Sequence, residues 1–212
     1  MKLRSILLAS AIAIATASSA SATIMSVFET AGNSTAGTAA AIIAAPKFAT
    51  DAAFTNSGQQ GFNELQSVLL TADLLVDGGI IAKGTRVNSH MIFLNLKHGE
   101  TSPLRHLGVE WTFKNRILGT MSDYSGNLEF ASTPILGWPG TTYQSPYNAR
   151  GLEGSDAISF FGNVLTLSMN VSQPGDWIRV VSAVPVPPAL PLFGTALAVL
   201  GFMGWRRKQR SA

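Results

Sequence analysis

Val109-Glu110-Trp111-Thr112-Phe113-Lys114 decides how this chain is read, because large apolar side chains alternate with polar ones along it. Successive residues of a strand point to opposite faces. A period of two therefore sets Val109, Trp111 and Phe113 on a core and leaves Glu110, Thr112 and Lys114 in water. On its N-terminal side, Arg86 to Leu96 contains the continuous apolar run Met91-Ile-Phe-Leu94, the pattern of a strand buried on both faces or at a sheet centre. Val68-Leu69-Leu70-Thr71 and Leu74-Leu75-Val76 also read as β, the second ending at the turn signal Asp77-Gly78-Gly79. On the C-terminal side come a short strand over Arg116 to Met121 and a polar loop, Asp123-Tyr-Ser-Gly-Asn127, before Leu128-Glu-Phe130. Ala157 to Phe161 and Val164 to Met169 form a hairpin about Gly162-Asn163, and Ser172 to Asp176 is a turn leading into the last strand, Trp177 to Val181. Short strands separated by Gly, Pro and Asn turns predict an all-β fold over residues 23–183, an antiparallel β-sandwich or jelly-roll-like domain. The stretch Thr23 to Asn56, rich in Ala, Thr, Ser and Gly, is compatible with a short helix or a lead-in strand. No internal repeat is visible.

The 212 residues carry 15 Lys and Arg against 12 Asp and Glu. Six of the basic residues lie at the extreme ends, and all twelve acids lie between Glu29 and Asp176, so the interior carries a net charge of −3. A nucleic-acid partner, which needs a basic face on the folded body, is not expected. The absence of cysteine removes disulfides, thiolate catalysis and cysteine-ligated zinc together, so the domain must be held by burial.

Both ends read as processing signals. Residues 1–22 have the parts of a secretory signal peptide: Lys2 and Arg4, the apolar stretch Ile6 to Ala15, and the small-residue site Ala20-Ser21-Ala22. Residues 184–212 begin with Val184-Pro-Val-Pro-Pro-Ala-Leu-Pro-Leu192, whose prolines fix extended backbone. Seventeen uncharged residues, Ala189 to Trp205, follow as an expected transmembrane helix over 189–205. The cluster Arg206, Arg207, Lys208 and Arg210 then marks the cytoplasmic side, leaving 23–183 outside the cytoplasm.

With Val184, Pro185, Pro187 and Ala189, the Leu190-Pro-Leu192 entry, Gly194, Gly201 and Gly204, and the closing Arg206-Arg207-Lys208, this tail resembles the PEP-CTERM sorting tails of Gram-negative bacteria. The likeness is strongest to the variant with a Val-Pro-Leu-Pro-Ala signature. It departs at Val186 and Pro188. The resemblance implies an exosortase as processing partner, a transient inner-membrane intermediate, and release to the cell surface or matrix, commonly in organisms that make exopolysaccharide. Val184, Pro185, Pro187 and Ala189 would then be recognition residues for that enzyme. Gly151-Leu-Glu-Gly-Ser-Asp156 and Pro174-Gly-Asp-Trp-Ile-Arg-Val180 resemble segments of uncharacterised proteins with such tails, which implies no activity.

Catalytic patterns are sparse. His90, His98 and His106 make no compact ligand pair; His90 is expected to be packed or at an edge, and the other two to be solvated. No Gly-x-Ser-x-Gly elbow exists, and Asp156 of Gly154-Ser155-Asp156 is expected to cap or bend the entry to the next strand. Glu110 and Glu129 are the nominal carboxylates of a secreted carbohydrate-active hydrolase, the alternative reading. Asp123, Asn127 and Glu129 offer the hard oxygens that calcium takes, although Asx-turn hydrogen bonding accounts for the first two without any ion. No metal and no cofactor is expected. Trp138, Tyr143 and Tyr147 gather in a Pro- and Gly-rich loop where aromatic rings could stack on a glycan, with Gln144, Asn148 and Arg150 offering hydrogen bonds. The alternative is a long loop pinned to the domain by its own aromatics. The resulting expectation is an exported, non-enzymatic surface or matrix protein with a structural or polysaccharide-associated role. A protein anchored permanently in the inner membrane is a further alternative.

Overall fold

A computed structural model describes residues 23–30, 34, 39–50, 58–96, 103–172, 175–184 and 202. The expected signal peptide, and the tail beyond Val184 with its span over 189–205, lie outside the described residues except for Phe202. Among the described residues no helix is long and apolar enough to cross a membrane. The chain forms two compact units, residues 1–20 with 186–212 and residues 21–185, and the second carries the strands and helix described below.

In chain order the elements are β1 (Ile24–Phe28), β2 (Ala41–Ile42), β3 (Phe48–Ala49), β4 (Gln60–Asn63), β5 (Val68–Leu69), β6 (Leu74–Val76), β7 (Gly79–Ile81), β8 (Arg86–Asn95), β9 (Leu104–Phe113), β10 (Ile117–Met121), α1 (Asn127–Leu136), β11 (Thr142–Tyr143), β12 (Ala157–Phe161), β13 (Val164–Val171) and β14 (Gly175–Ala183). One sheet has the order β1-β9-β13-β12 and is antiparallel throughout. The other runs β10-β14-β8-β4-β2 with β5 also on β8; only the short β2–β4 pairing in it is parallel. β6 and β7 make a small hairpin, and β3 pairs with β11 in parallel.

The alternation in β9 works as read: Val109, Trp111 and Phe113 are fully buried while Glu110 is exposed. These three residues share a core with Leu165, Leu167 and Met169 of β13, and with Ile92, Leu94, Ile178 and Val180 of β8 and β14, so the two sheets face one another across it. Trp111 donates its indole N–H to Gln59 Oε1 at 2.9 Å. Its ring lies where a side chain at position 61 would stand, since a Cβ on Gly61 would fall 2.5 Å from it. That close approach requires glycine. The opposite face of the β8–β14 sheet is covered as well. Val87 and Val181 pack with the β6–β7 hairpin and Leu136 of α1, while Phe62, Met91, Phe93 and Trp177 pack with Ala49, Tyr143 and Tyr147. Covering on both faces explains why β8 and β14 are buried almost end to end. The hairpin about Gly162-Asn163 pairs Phe161 with Val164 as expected.

Of the short helix or lead-in strand open to the stretch after Thr23, the described residues form strands, β1 to β3. One expectation changes: Leu128-Glu-Phe130 belongs to α1, not to β structure. Its first turn is capped from upstream: Asp123 accepts the N–H groups of Asn127 and Leu128, each at 2.9 Å, where a carboxylate also complements the helix dipole. Gly126 at the cap sits at φ 68°, a left-handed conformation that suits glycine.

Candidate functional site

Two carboxylates and two guanidiniums meet beneath α1 on the outer face of the β8–β14 sheet, all buried: Glu64, Glu129, Arg150 and Arg179. Arg179 projects from β14. Its Nε and Nη2 donate to the two oxygens of Glu64 at 2.7 and 2.8 Å, a bidentate fork. Its Nη2 also lies 3.3 Å from Glu129 Oε1, and its Nη1 donates to the Glu129 carbonyl and Ser132 Oγ. Arg150 donates to the remaining Glu129 oxygen and lays its guanidinium over the Trp177 ring. Ser89 Oγ donates to Glu64 at 2.6 Å. Burial works against the charge on Arg179, but Glu64 and Glu129 outweigh it and hold its pKa above the ordinary value. Two acids and two bases thus neutralise one another, with Arg150 Nε and Nη1 left without an acceptor among the described residues.

The aromatic loop lies against this network. Tyr143 is half-buried, with the Arg179 guanidinium 5.6 Å from its ring centre, and its hydroxyl accepts the Trp138 backbone N–H at 2.6 Å. Burial and the neighbouring Glu64 push its phenol pKa up. Tyr147, also half-buried, meets Trp177 edge to face at 6.1 Å. Trp138 alone of the three expected glycan contacts is exposed, at 44 %. Arg150, expected to offer hydrogen bonds to a ligand, is instead turned inward onto Glu129.

Two of the calcium candidates are engaged with groups of the chain itself. Asp123 holds the start of α1, and Glu129 faces the arginines. Glu110 and Glu129 are apart in environment, one exposed on β9 and the other buried on α1. His90 is fully buried between Asn63 Oδ1 at 2.8 Å and Ser182 Oγ at 3.0 Å, and burial lowers its pKa to about 3, so it is neutral. His106, expected in solvent, is buried on β9, 2.9 Å from Glu29. His98 lies outside the described residues.

A second acidic group was not singled out from the sequence. One carboxylate oxygen each from Glu153, Asp156 and Asp176 lies within 4.8 Å of the others. Asp156 bends the chain as expected, accepting the N–H of Glu153 at 2.8 Å and of Asn170 at 2.7 Å. Burial, then the other carboxylates, raises the pKa of Asp176 well above the usual range and raises that of Glu153. Burial also raises Asp156, against the pull of its two backbone donors. A sequence signal existed for the first cluster, since Arg179 is a charged residue in a strand otherwise patterned for burial on both faces; Asp176, read as the end of a turn, is instead the second residue of β14.

No known family's sequence model matches the chain, and neither a curated protein nor a solved structure matches it.

Proposed function

We propose that the chain is an exported surface or matrix protein, with a non-enzymatic, jelly-roll-like β-sandwich over 23–183 sorted by an exosortase through residues 184–212. The observation that carries this reading is the junction. β14 lies between β10 and β8 inside its sheet and runs to Ala183, directly against Val184 of the tail motif. The tail is thereby fastened to an interior strand, an anchorage suited to a domain handed from membrane to surface. The use of Glu64, Glu129, Arg150 and Arg179 on one another supports a structural interior rather than a catalytic one. Intact mass and fractionation in an exosortase-bearing Gram-negative host test the reading, with wild type beside a Pro185→Ala, Pro187→Ala chain. Wild type should lose both ends and leave the membrane while the variant stays there with its basic end. Retention of the tail by both would favour a permanent inner-membrane anchor.

Polysaccharide association is supported by Trp138, an exposed ring whose backbone is held by Tyr143. Trp138→Ala should reduce retention on host exopolysaccharide with an unchanged melting temperature, and equal retention would remove the glycan role. Turnover of a glycan or ester panel that disappears on changing a single carboxylate would favour the hydrolase reading instead.

A further inference from the structure

We propose that Glu153, Asp156 and Asp176 form a binding site for one divalent cation of the calcium class. Oxygens bound to a single calcium at 2.3–2.6 Å from it are at most about 5 Å apart, and the three carboxylate atoms, all within 4.8 Å of one another, meet that limit. Asp176 is 2 % exposed, one of its carboxylate oxygens is in the group of three, and its Oδ2 accepts no hydrogen bond among the described residues. Glu153 Oε2 is also buried without a hydrogen-bond partner among the described residues. Buried carboxylate oxygens are normally satisfied by donors or by a cation. None of the ion pairs among the described residues involves these three side chains.

The donor set selects the metal. It holds only carboxylate oxygens, with neither imidazole nor thiolate, which favours calcium over zinc or copper. Glu153 and Asp156 are partly exposed, so water can complete a shell of six to eight ligands, and Asp156 is already oriented by its two backbone donors. The position gives the ion a task. Asp156 immediately precedes β12 of the four-stranded sheet, and Asp176 lies at the start of β14 in the other sheet. A cation held by both would tie the two sheets together where the chain crosses from β13 to β14. This inference does not depend on export or sorting.

The test uses the full chain in mild detergent, stripped with EDTA and dialysed against calcium at about 1 mM. Wild type should bind one calcium per chain, and its melting temperature should rise by roughly 5–10 °C at a hundredfold excess over the dissociation constant. Glu153→Gln keeps the shape of a turn side chain that accepts no hydrogen bond among the described residues, so it should fold and bind at least tenfold more weakly. Asp176→Asn, the same size, should abolish the calcium-dependent rise. No bound calcium in wild type overturns the proposal. So does equal binding by wild type and Glu153→Gln, or displacement of calcium by an equal concentration of magnesium.

Discussion

β14 carries two charged residues three positions apart into two opposite situations. Arg179 enters a cluster in which two carboxylates and two guanidiniums cancel, and every member touches an ion of opposite sign. Asp176 enters a cluster of three carboxylates whose mutual repulsion and burial all act in one direction. Asp176 and Arg179 are both buried. Burial of charge is tolerated according to what the neighbours supply: in the first group every charge meets its opposite within the chain, although Arg150 Nε and Nη1 find no acceptor among the described residues, and in the second no opposite charge is paired with the three carboxylates.

Breaking the compensated cluster should have the largest effect. Arg179→Met keeps much of the volume but strands Glu64 without its bidentate partner, and we expect a loss of about 3–5 kcal/mol in urea unfolding. Adding Glu64→Gln to that variant should recover part of the loss, because one orphaned charge is removed. Arg150→Met should cost less, about 2 kcal/mol, since Glu129 retains Arg179 at 3.3 Å. Equal losses from the two variants would show that Glu129 depends on Arg150 rather than on the shared network.

The difference between the clusters also explains what the sequence made legible. The sheets were readable because Val109, Trp111 and Phe113, and the run through Leu94, record burial in hydrophobicity itself. Helix α1 was not, because the face it buries begins with Glu129 and Ser132 and becomes apolar only at Leu136, so no apolar stripe forms. Pro134 inside the helix and the Ser132 and Thr133 hydroxyls, which bond back to the Glu129 carbonyl, read as loop chemistry. The two clusters were hidden for another reason. Glu64 and Arg179 meet only through the sheet order, and Asp156 and Asp176 are separated in sequence by the whole β12–β13 hairpin. Sequence offered a charged residue in a buried strand but not its partner.

His90 sharpens the contrast as a buried ionisable group handled in a third way, by staying neutral. The unfolded chain takes up the imidazole proton near pH 6.5, and the folded protein only near pH 3. Between those values the unfolded state binds more protons, so this residue lowers stability as pH falls, by up to about 1.4 kcal/mol per pH unit. Asp176, Asp156 and Glu153, with raised folded pKa values, act with the opposite sign and add stability as pH falls through them. Urea midpoints of wild type and His90→Asn between pH 6.5 and 4 separate the two contributions. The variant should show the shallower decline, or a rise, whatever its absolute stability. Parallel profiles would mean that His90 titrates normally in the folded protein.

The smallest effect expected is also the one most sensitive to the comparison, because its sign is reversed. In EDTA at pH 7.5, Asp176→Asn removes one of three crowded negative charges and supplies an amide that can donate to a neighbouring carboxylate. The variant should therefore be more stable than wild type, on the order of 1 kcal/mol. Saturating calcium should invert the order, since wild type gains an ion that the variant cannot hold. A loss of stability in EDTA, as expected for Arg179→Met, would mean that Asp176 already has a compensating partner within the chain. The two charged residues of β14 would then sit in the same kind of site.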